Sequence, residues 1–196
     1  MSANRLNVLF VGNSYTYYNQ MPDKAFICIA CEAGYEVSVT SVTHGGYRLS
    51  QFADPENEAG KRLRETINGV RYDFAVLQEQ SVTPIKDEAA FIKGASDVKE
   101  LIAADSFILY ATWGRNDGSP MLTELGLTRE EMTEKLSKAY NSAAKKLDAR
   151  VAEVGKAFLE YSKDHSKDDL YNPDMSHPSE VGSALAARVI FDQMIE

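Results

Sequence analysis

The stretch Asn7-Val8-Leu9-Phe10-Val11-Gly12-Asn13-Ser14-Tyr15-Thr16 decides the fold. Val8 to Val11 is an unbroken apolar run of β-favouring residues, shorter than an ordinary helix and closed by a glycine, so residues 6–12 read as a strand buried on both faces. Strands buried on both faces belong to parallel sheets covered by helices. The turn leaving the carboxyl end of such a strand lies in the crevice where open α/β sheets bind ligands. Ser14 stands on that turn.

Working outward, strands and helices alternate. A helix is expected at about 22–33, closed by Gly34. Residues 36–42 alternate polar and apolar, the period of a strand less buried on one side. A helix at about 56–68 carries Leu63 and Ile67 four apart and ends at Gly69. Residues 73–77 form a third, buried strand. A helix from about 87 to 104 presents Phe91, Ala95, Val98 and Ile102 on one face, and 107–111 is the fourth strand. Residues 113–127 read as a long loop, a feature that is often functional in a compact domain. Thr128-Arg129-Glu130-Glu131 fits a capping box, ahead of a stripe of Met132, Leu136, Ala139, Tyr140, Ala143 and Leu147. A fifth strand spans about 149–154, followed by a short helix and a loop through Asp174. Pro178 suits the first position of a last helix, which places His177 at its cap and Val181, Ala184, Leu185 and Val189 on its buried face. Repeated β-α units predict a three-layer α/β/α sandwich with a five-stranded parallel sheet in the flavodoxin-like order 2-1-3-4-5. With no repeat, linker or low-complexity tract, residues 1–196 are expected to form one domain.

The length of 196 residues suits one hydrophobic core, and 44% apolar with 26% charged residues is ordinary for a soluble globular protein. A formal charge of −8 without a Lys/Arg cluster argues against nucleic acid or an anionic membrane as partner. The opening Met-Ser-Ala-Asn-Arg-Leu has no apolar segment long enough for a signal or a span, so a cytoplasmic protein is expected. Cys28 and Cys31, in Cys-Ile-Ala-Cys, lack a second ligand pair for zinc and read as small hydrophobes on a helix packed against the sheet. No metal and no cofactor is expected.

The chemistry lies at two ends of the chain. Near the carboxyl end, Asp174-Met175-Ser176-His177 sets an acid and an imidazole three apart. Folding that brings them to Ser14 supplies the parts of a Ser-His-Asp nucleophilic site. Each residue also has an ordinary explanation: Ser14 as a helix cap, His177 as the cap of the last helix, Asp174 as a turn former after Pro173, and Gly45-Gly46 as turn glycines. The pairing of the acid with the base is what favours catalysis.

Here the chain resembles the SGNH (GDSL-type) hydrolase superfamily. Gly12-Asn13-Ser14-Tyr15-Thr16 is similar to its first block, which carries the nucleophile and usually reads Gly-Asp-Ser. Gly46 resembles the glycine of the second block, and Asp174-x-x-His177 matches the last. The third block usually reads Gly-x-Asn-Asp; here the segment is Gln78-Glu79-Gln80-Ser81, a departure that sets the chain nearer to uncharacterised branches, and to carbohydrate-esterase branches with a Gln in that block, than to lipases. The resemblance implies an oxyanion hole of the Ser14 and Gly46 backbone N–H groups and the Gln80 side-chain amide, with Gln78 as the alternative donor.

The expected function is a metal-independent serine esterase acting on a small-molecule ester, a carbohydrate O-acetyl group among the candidates. Tyr15, Tyr47 and Trp113, with Tyr17 and Tyr18 nearby, are the aromatic residues that could wall a pocket for it. Asn13 is expected to support the loop, Glu79 to be solvated or salt-bridged, and His44 and His165 to be structural or exposed. A thioesterase or lipid acyl hydrolase would use the same residues on a longer acyl chain. A non-catalytic α/β module holding an anion at a helix N-terminus is the rival from another class; the strand-one loop lacks the glycines of a dinucleotide or P-loop site.

Overall fold

The computed structural model describes residues 4–195; Met1–Ala3 and Glu196, the ends of the expected 1–196 domain, lie outside the described residues. Five parallel strands, β1 (Asn4–Gly12), β2 (Tyr35–Thr43), β3 (Arg71–Leu77), β4 (Ala103–Ala111) and β5 (Arg150–Glu153), form one sheet in the order β2-β1-β3-β4-β5. Val8 in β1 is in register with Val39 of β2 on one side and Phe74 of β3 on the other. The sheet is the middle layer of an α/β/α sandwich with the predicted 2-1-3-4-5 order.

The apolar runs of the inner strands divide by the two-residue period of a strand. Leu9, Val11, Ala75, Leu77, Leu109 and Ala111 face one layer, where Leu63 of α4 (Glu58–Ile67), Phe91 of α6 (Glu88–Leu101) and Leu136 of α8 (Arg129–Leu147) cover them. Val8, Phe10, Val76, Ile108 and Tyr110 face the other. There they meet Phe26 from a π-helical turn (Met21–Phe26) that runs into α2 (Ile27–Glu32), Phe158 of α9 (Val154–Asp164), and Ile190 and Phe191 of α10 (Glu180–Ile195). Burial on both faces explains why these strands are continuously apolar. No described helix is long and apolar enough to cross a membrane.

Several elements differ from expectation. The helix expected to reach residue 104 ends at Leu101, and β4 starts at Ala103: Ile102 continues the apolar stripe but has extended dihedrals. The 113–127 segment is not all loop. It contains α7 (Pro120–Leu125), with proline in the first turn and Gly126 at φ +63° closing it. The short helices α1 (Ser14–Tyr17), α3 (Leu49–Ala53) and α5 (Thr83–Lys86) fall below the length at which periodicity is readable. The capping box at Thr128 and Glu131 is present.

His177 does not cap α10. Pro178 pairs with Tyr171 in an isolated antiparallel bridge, and the helix begins later. Ser179 takes the capping role, its Oγ accepting from Gly182 N–H at 3.1 Å. The buried face is Gly182, Ser183, Ala186, Ala187, Ile190, Phe191 and Met194, whereas Val181 is 44% exposed and Ala184 is exposed. Apolar residues surround this helix, so the pattern has no unique phase. Cys28 and Cys31 are free and exposed on α2, not packed against the sheet as expected.

The α10 phase makes a direct prediction. A Cβ on Gly182 would lie 2.4 Å from the Leu170 carbonyl oxygen and 3.1 Å from the Phe158 ring. Gly182→Ala should cost about 1–3 kcal/mol by overpacking, whereas Val181→Ala should stay within about 0.5 kcal/mol of the parent. Urea denaturation of both variants checks this, and the reverse ranking would contradict the phase.

Candidate functional site

The site is built on the end of β1. A Cβ at Gly12 would lie 2.4 Å from Thr16 Oγ1 and 2.8 Å from Gln78 Oε1, so only glycine lets the chain turn this tightly against β3. Gln78 is buried, and its Oε1 accepts from Asn13 N–H and from Thr16 Oγ1, both at 2.9 Å. The Gln78 amide nitrogen donates to the Glu79 carbonyl. Asn13, at the N-cap of α1, accepts from Tyr15 N–H through Oδ1 and donates through Nδ2 to the Tyr47 carbonyl. It thereby supports the loop as expected and does the capping that Ser14 could have done. The backbone N–H groups of Thr16 and Tyr17 also go to Asn13, through its carbonyl. Ser14 N–H is the first-turn donor not used on Asn13.

The structure brings Ser14, His177 and Asp174 together. Ser14 Oγ is 2.9 Å from His177 Nε2, and His177 Nδ1 is 2.5 Å from Asp174 Oδ2. Asp174 Oδ1 accepts from the backbone N–H groups of Ser176 and His177, each at 2.9 Å. A carboxylate only accepts, so the proton lies on Nδ1 and leaves Nε2 as an acceptor for the Ser14 hydroxyl. Partial burial raises the Asp174 pKa, but the hydrogen bonds from the His177 ring and the two backbone N–H groups outweigh it and hold the carboxyl below its ordinary value.

The loop carrying Asp174 and His177 is self-closing. Asn172 N–H donates to the His177 carbonyl at 2.9 Å, and Met175, at φ +60°, passes its carbonyl to Asn116 N–H. Tyr18 stacks on the His177 ring at 4.3 Å, and Tyr15 meets that ring edge-on at 5.5 Å. Tyr18 was visible in the sequence only as one of a tyrosine cluster, and nothing in the spacing distinguished it as the residue packed on the imidazole.

The other expected residues fall as follows. Gly46 has φ +74° with open space beyond it, so its conformation is what requires glycine. Tyr47 is half-buried and stacks on exposed His44 at 3.6 Å. Gln80 Oε1 accepts from Val82 N–H at 3.0 Å and from Thr83 N–H and Oγ1 at 3.1 Å, leaving Nε2 as the end not held in that turn. The Gln78 amide, by contrast, is engaged at both ends. His165 is exposed and stacks on Tyr161, on α9.

Trp113 and Tyr15 do not wall a pocket. Trp113 is 0% exposed, sandwiched between Tyr15 at 4.7 Å and Phe158 at 4.3 Å, and its Nε1 donates to the Ser176 carbonyl. Tyr15 is likewise buried. Both support the site from beneath. Glu79 is not solvated: its carboxylate accepts from Leu49 N–H and from Gln80 N–H at 2.6 Å. Burial pushes its pKa up to about 7, against the opposing pull of those N–H groups and the Arg48 charge. The sequence hides this because Glu79 stands among polar neighbours past the last apolar residue of β3.

The sheet order is that of an α/β fold, with a polar cluster at its carboxyl edge. The chain is 31% identical to a protein of Slackia heliotrinireducens assigned to the SGNH hydrolases, over 97% of this chain and 100% of that one, with a TM-score of 0.82. It belongs to the SGNH hydrolase family. Two more distant structures share its fold. One is a DUF4886 family protein from Bacteroides uniformis, at 15% identity, 97% and 83% coverage and a TM-score of 0.80. The other is a lipase/acylhydrolase from Enterococcus faecalis, at 18% identity, 96% and 95% coverage and a TM-score of 0.72. Comparison of the sequence with protein-family models and with curated proteins gave no match.

Two predictions follow from the buried residues. Trp113→Ala should lower stability by about 3–5 kcal/mol; a fully stable variant would mean that the indole does not support the core. Glu79 has a folded-state pKa above its unfolded value of about 4.5, so its contribution favours folding below that value. As pH rises from about 4.5 to about 7, the unfolded chain ionises first and the contribution is lost. The stability of the parent relative to Glu79→Gln should therefore fall across this window, by about 3 kcal/mol at most. A pH-independent difference would contradict the assignment.

Proposed function

We propose that the chain, as one domain spanning 1–196, is a serine esterase in which Ser14 is the nucleophile, His177 the general base and Asp174 the residue that orients it. The observation that carries the reading is the continuous hydrogen-bonded line from Ser14 Oγ through His177 to Asp174. In the first step Ser14 Oγ attacks the ester carbonyl while His177 Nε2 takes its proton. The imidazolium, stabilised by Asp174, then protonates the departing alcohol and leaves an acyl-Ser14. His177 next deprotonates a water that attacks the acyl carbon, and returning that proton to Ser14 releases the acid.

Negative charge develops on the carbonyl oxygen in both steps. Its donors in this reading are the backbone N–H groups of Ser14 and Gly46 and the Gln80 amide, which takes the part of the family's third-block Asn. Loss of one such donor typically costs about 2.7–4 kcal/mol of barrier. Gln80 is favoured over Gln78 because its Nε2 is the end not held by the local turn. The substrate is a small ester, with carbohydrate O-acetyl groups as the class that the Gln-containing third block favours.

Ser14→Ala should abolish hydrolysis of a short-chain aryl ester and labelling by a fluorophosphonate, with the adduct on the parent protein mapping to Ser14. Asp174→Asn should lower the rate by about 10³–10⁴ while the melting temperature holds. Full activity in the first variant would remove Ser14 from the chemistry, and an unaltered rate in the second would remove Asp174.

A further inference from the structure

Arg115 is separated from the His177 ring by the Tyr15 ring, and its charge is unanswered. It sits on the segment leaving β4, two residues after Trp113. Its guanidinium carbon is 5.4 Å from the centroid of the Tyr15 ring, and Nη2 donates to Ser81 Oγ at 2.8 Å. Tyr15 follows Ser14, and its hydroxyl lies 2.9 Å from Ser176 Oγ, beside His177. Ser81 follows Gln80. Arg115 therefore joins Ser81 of the third-block loop to the Tyr15 ring, whose hydroxyl reaches the loop that carries His177.

Among the described residues, Arg115 enters no ion pair, and its buried Nε has no hydrogen-bond partner. The carboxylates of that neighbourhood are already engaged: Asp117 by Lys167, Asp168 by Asn116 Nδ2 at 2.7 Å, and Asp174 by His177. A half-buried cation without a counter-charge is unfavourable in the free protein and is best answered by an anion. The planar guanidinium fork matches a carboxylate. The chain as a whole is acidic, at −8, so its overall field repels anions and an isolated cation at this edge selects strongly where one can dock.

We propose that Arg115 binds a carboxylate on the substrate, so that the preferred esters are those of small acids such as O-acylated sugar acids, with the negative charge held on the Arg115 side of Ser14. This rests on the esterase reading for the location of the reacting ester. Arg115 is a specificity-determining residue in it, positioned by Ser81 and by the Tyr15 ring.

The test separates binding from turnover. The Ser14→Ala protein is titrated calorimetrically with 4-acetoxybenzoate and with its neutral methyl ester, in parallel with Ser14→Ala/Arg115→Gln and Ser14→Ala/Arg115→Lys. The carboxylate ester should bind Ser14→Ala about tenfold or more tighter than the methyl ester. Arg115→Gln should erase that preference, and Arg115→Lys, which keeps the charge and the aliphatic packing, should retain part of it. Equal affinities for the two esters in Ser14→Ala, or a preference that survives Arg115→Gln, would overturn the proposal. If the Gln variant fails to fold, a Lys variant with the full preference overturns it and one with a partial preference supports it. Hydrolysis of both acetoxy esters by the unsubstituted protein is scored separately: no turnover of either ester, alongside a retained carboxylate preference, sinks the esterase reading and leaves the Arg115 assignment in place.

Discussion

One buried oxygen, Gln78 Oε1, fixes the turn on which the site depends. It is reached by two donors, Asn13 N–H and Thr16 Oγ1, and it lies where a Cβ on Gly12 would intrude. An acceptor buried away from water must be satisfied by the protein, and losing its donors would cost the full desolvation of the amide. That requirement locks the last residue of β1, the N-cap of α1 and the first residue beyond β3 to one another. The Asn13 side chain extends the lock to the β2 loop through the Tyr47 carbonyl. Ser14 is the residue the lock leaves free: its neighbours carry the capping and packing, and its hydroxyl is turned outward to His177.

The opposing loop obeys a different logic, since little of it is buried. Asn116 and Trp113 hold the Met175 and Ser176 carbonyls, while Asp174 shapes the loop through short-range hydrogen bonds, accepting from two backbone N–H groups and from the imidazole. Those donors keep the carboxyl ionised in a half-exposed setting. Glu79, across the site, shows the converse. Fewer donors and deep burial leave its carboxyl titrating near neutrality, although it sits next to Gln80. Environment alone separates the two carboxylates.

How much of this was readable in the residues follows from which signals are local. The inner strands announced themselves because burial on both faces removes polar residues altogether, as in Val8 to Val11. The Thr128–Glu131 box was legible because both of its hydrogen bonds lie within four residues. The phase of α10 was not, because an apolar helix offers several equivalent stripes and tertiary packing against Leu170 and Phe158 chooses among them. The start of α10 was not legible, because the proline after His177 suggests a helix start with His177 at its cap, whereas the bridge between Pro178 and Tyr171 delays the helix. The roles of Gln78 and Glu79 depend on residues of β1 and α3 that come near only in the folded chain. Ser14, His177 and Asp174 are legible as candidates from residue type and the three-residue spacing, but that they come within hydrogen-bond reach of one another is visible only in the folded chain.

Trp113 is one of the residues that join the two loops. One face of its indole lies on Phe158 of α9, and the other on Tyr15, with interplanar angles of 9° and 4°. Its Nε1–H reaches the Ser176 carbonyl at 3.1 Å. The same rigid bicycle thus touches the residue after Ser14 and the residue before His177, and it is anchored in the core by the third ring. A side chain with free rotors would transmit thermal displacement between the two loops, whereas a buried indole in a stacked column has only a narrow range of positions. Burying Trp113 completely, where the sequence suggested an exposed wall, gives up contact with a substrate and gains control over the 2.9 Å between a hydroxyl and an imidazole. In the proposed reaction, proton transfer depends on that distance more steeply than binding depends on one additional aromatic contact, so the chain's single tryptophan serves that reading better beneath the site than in a pocket wall.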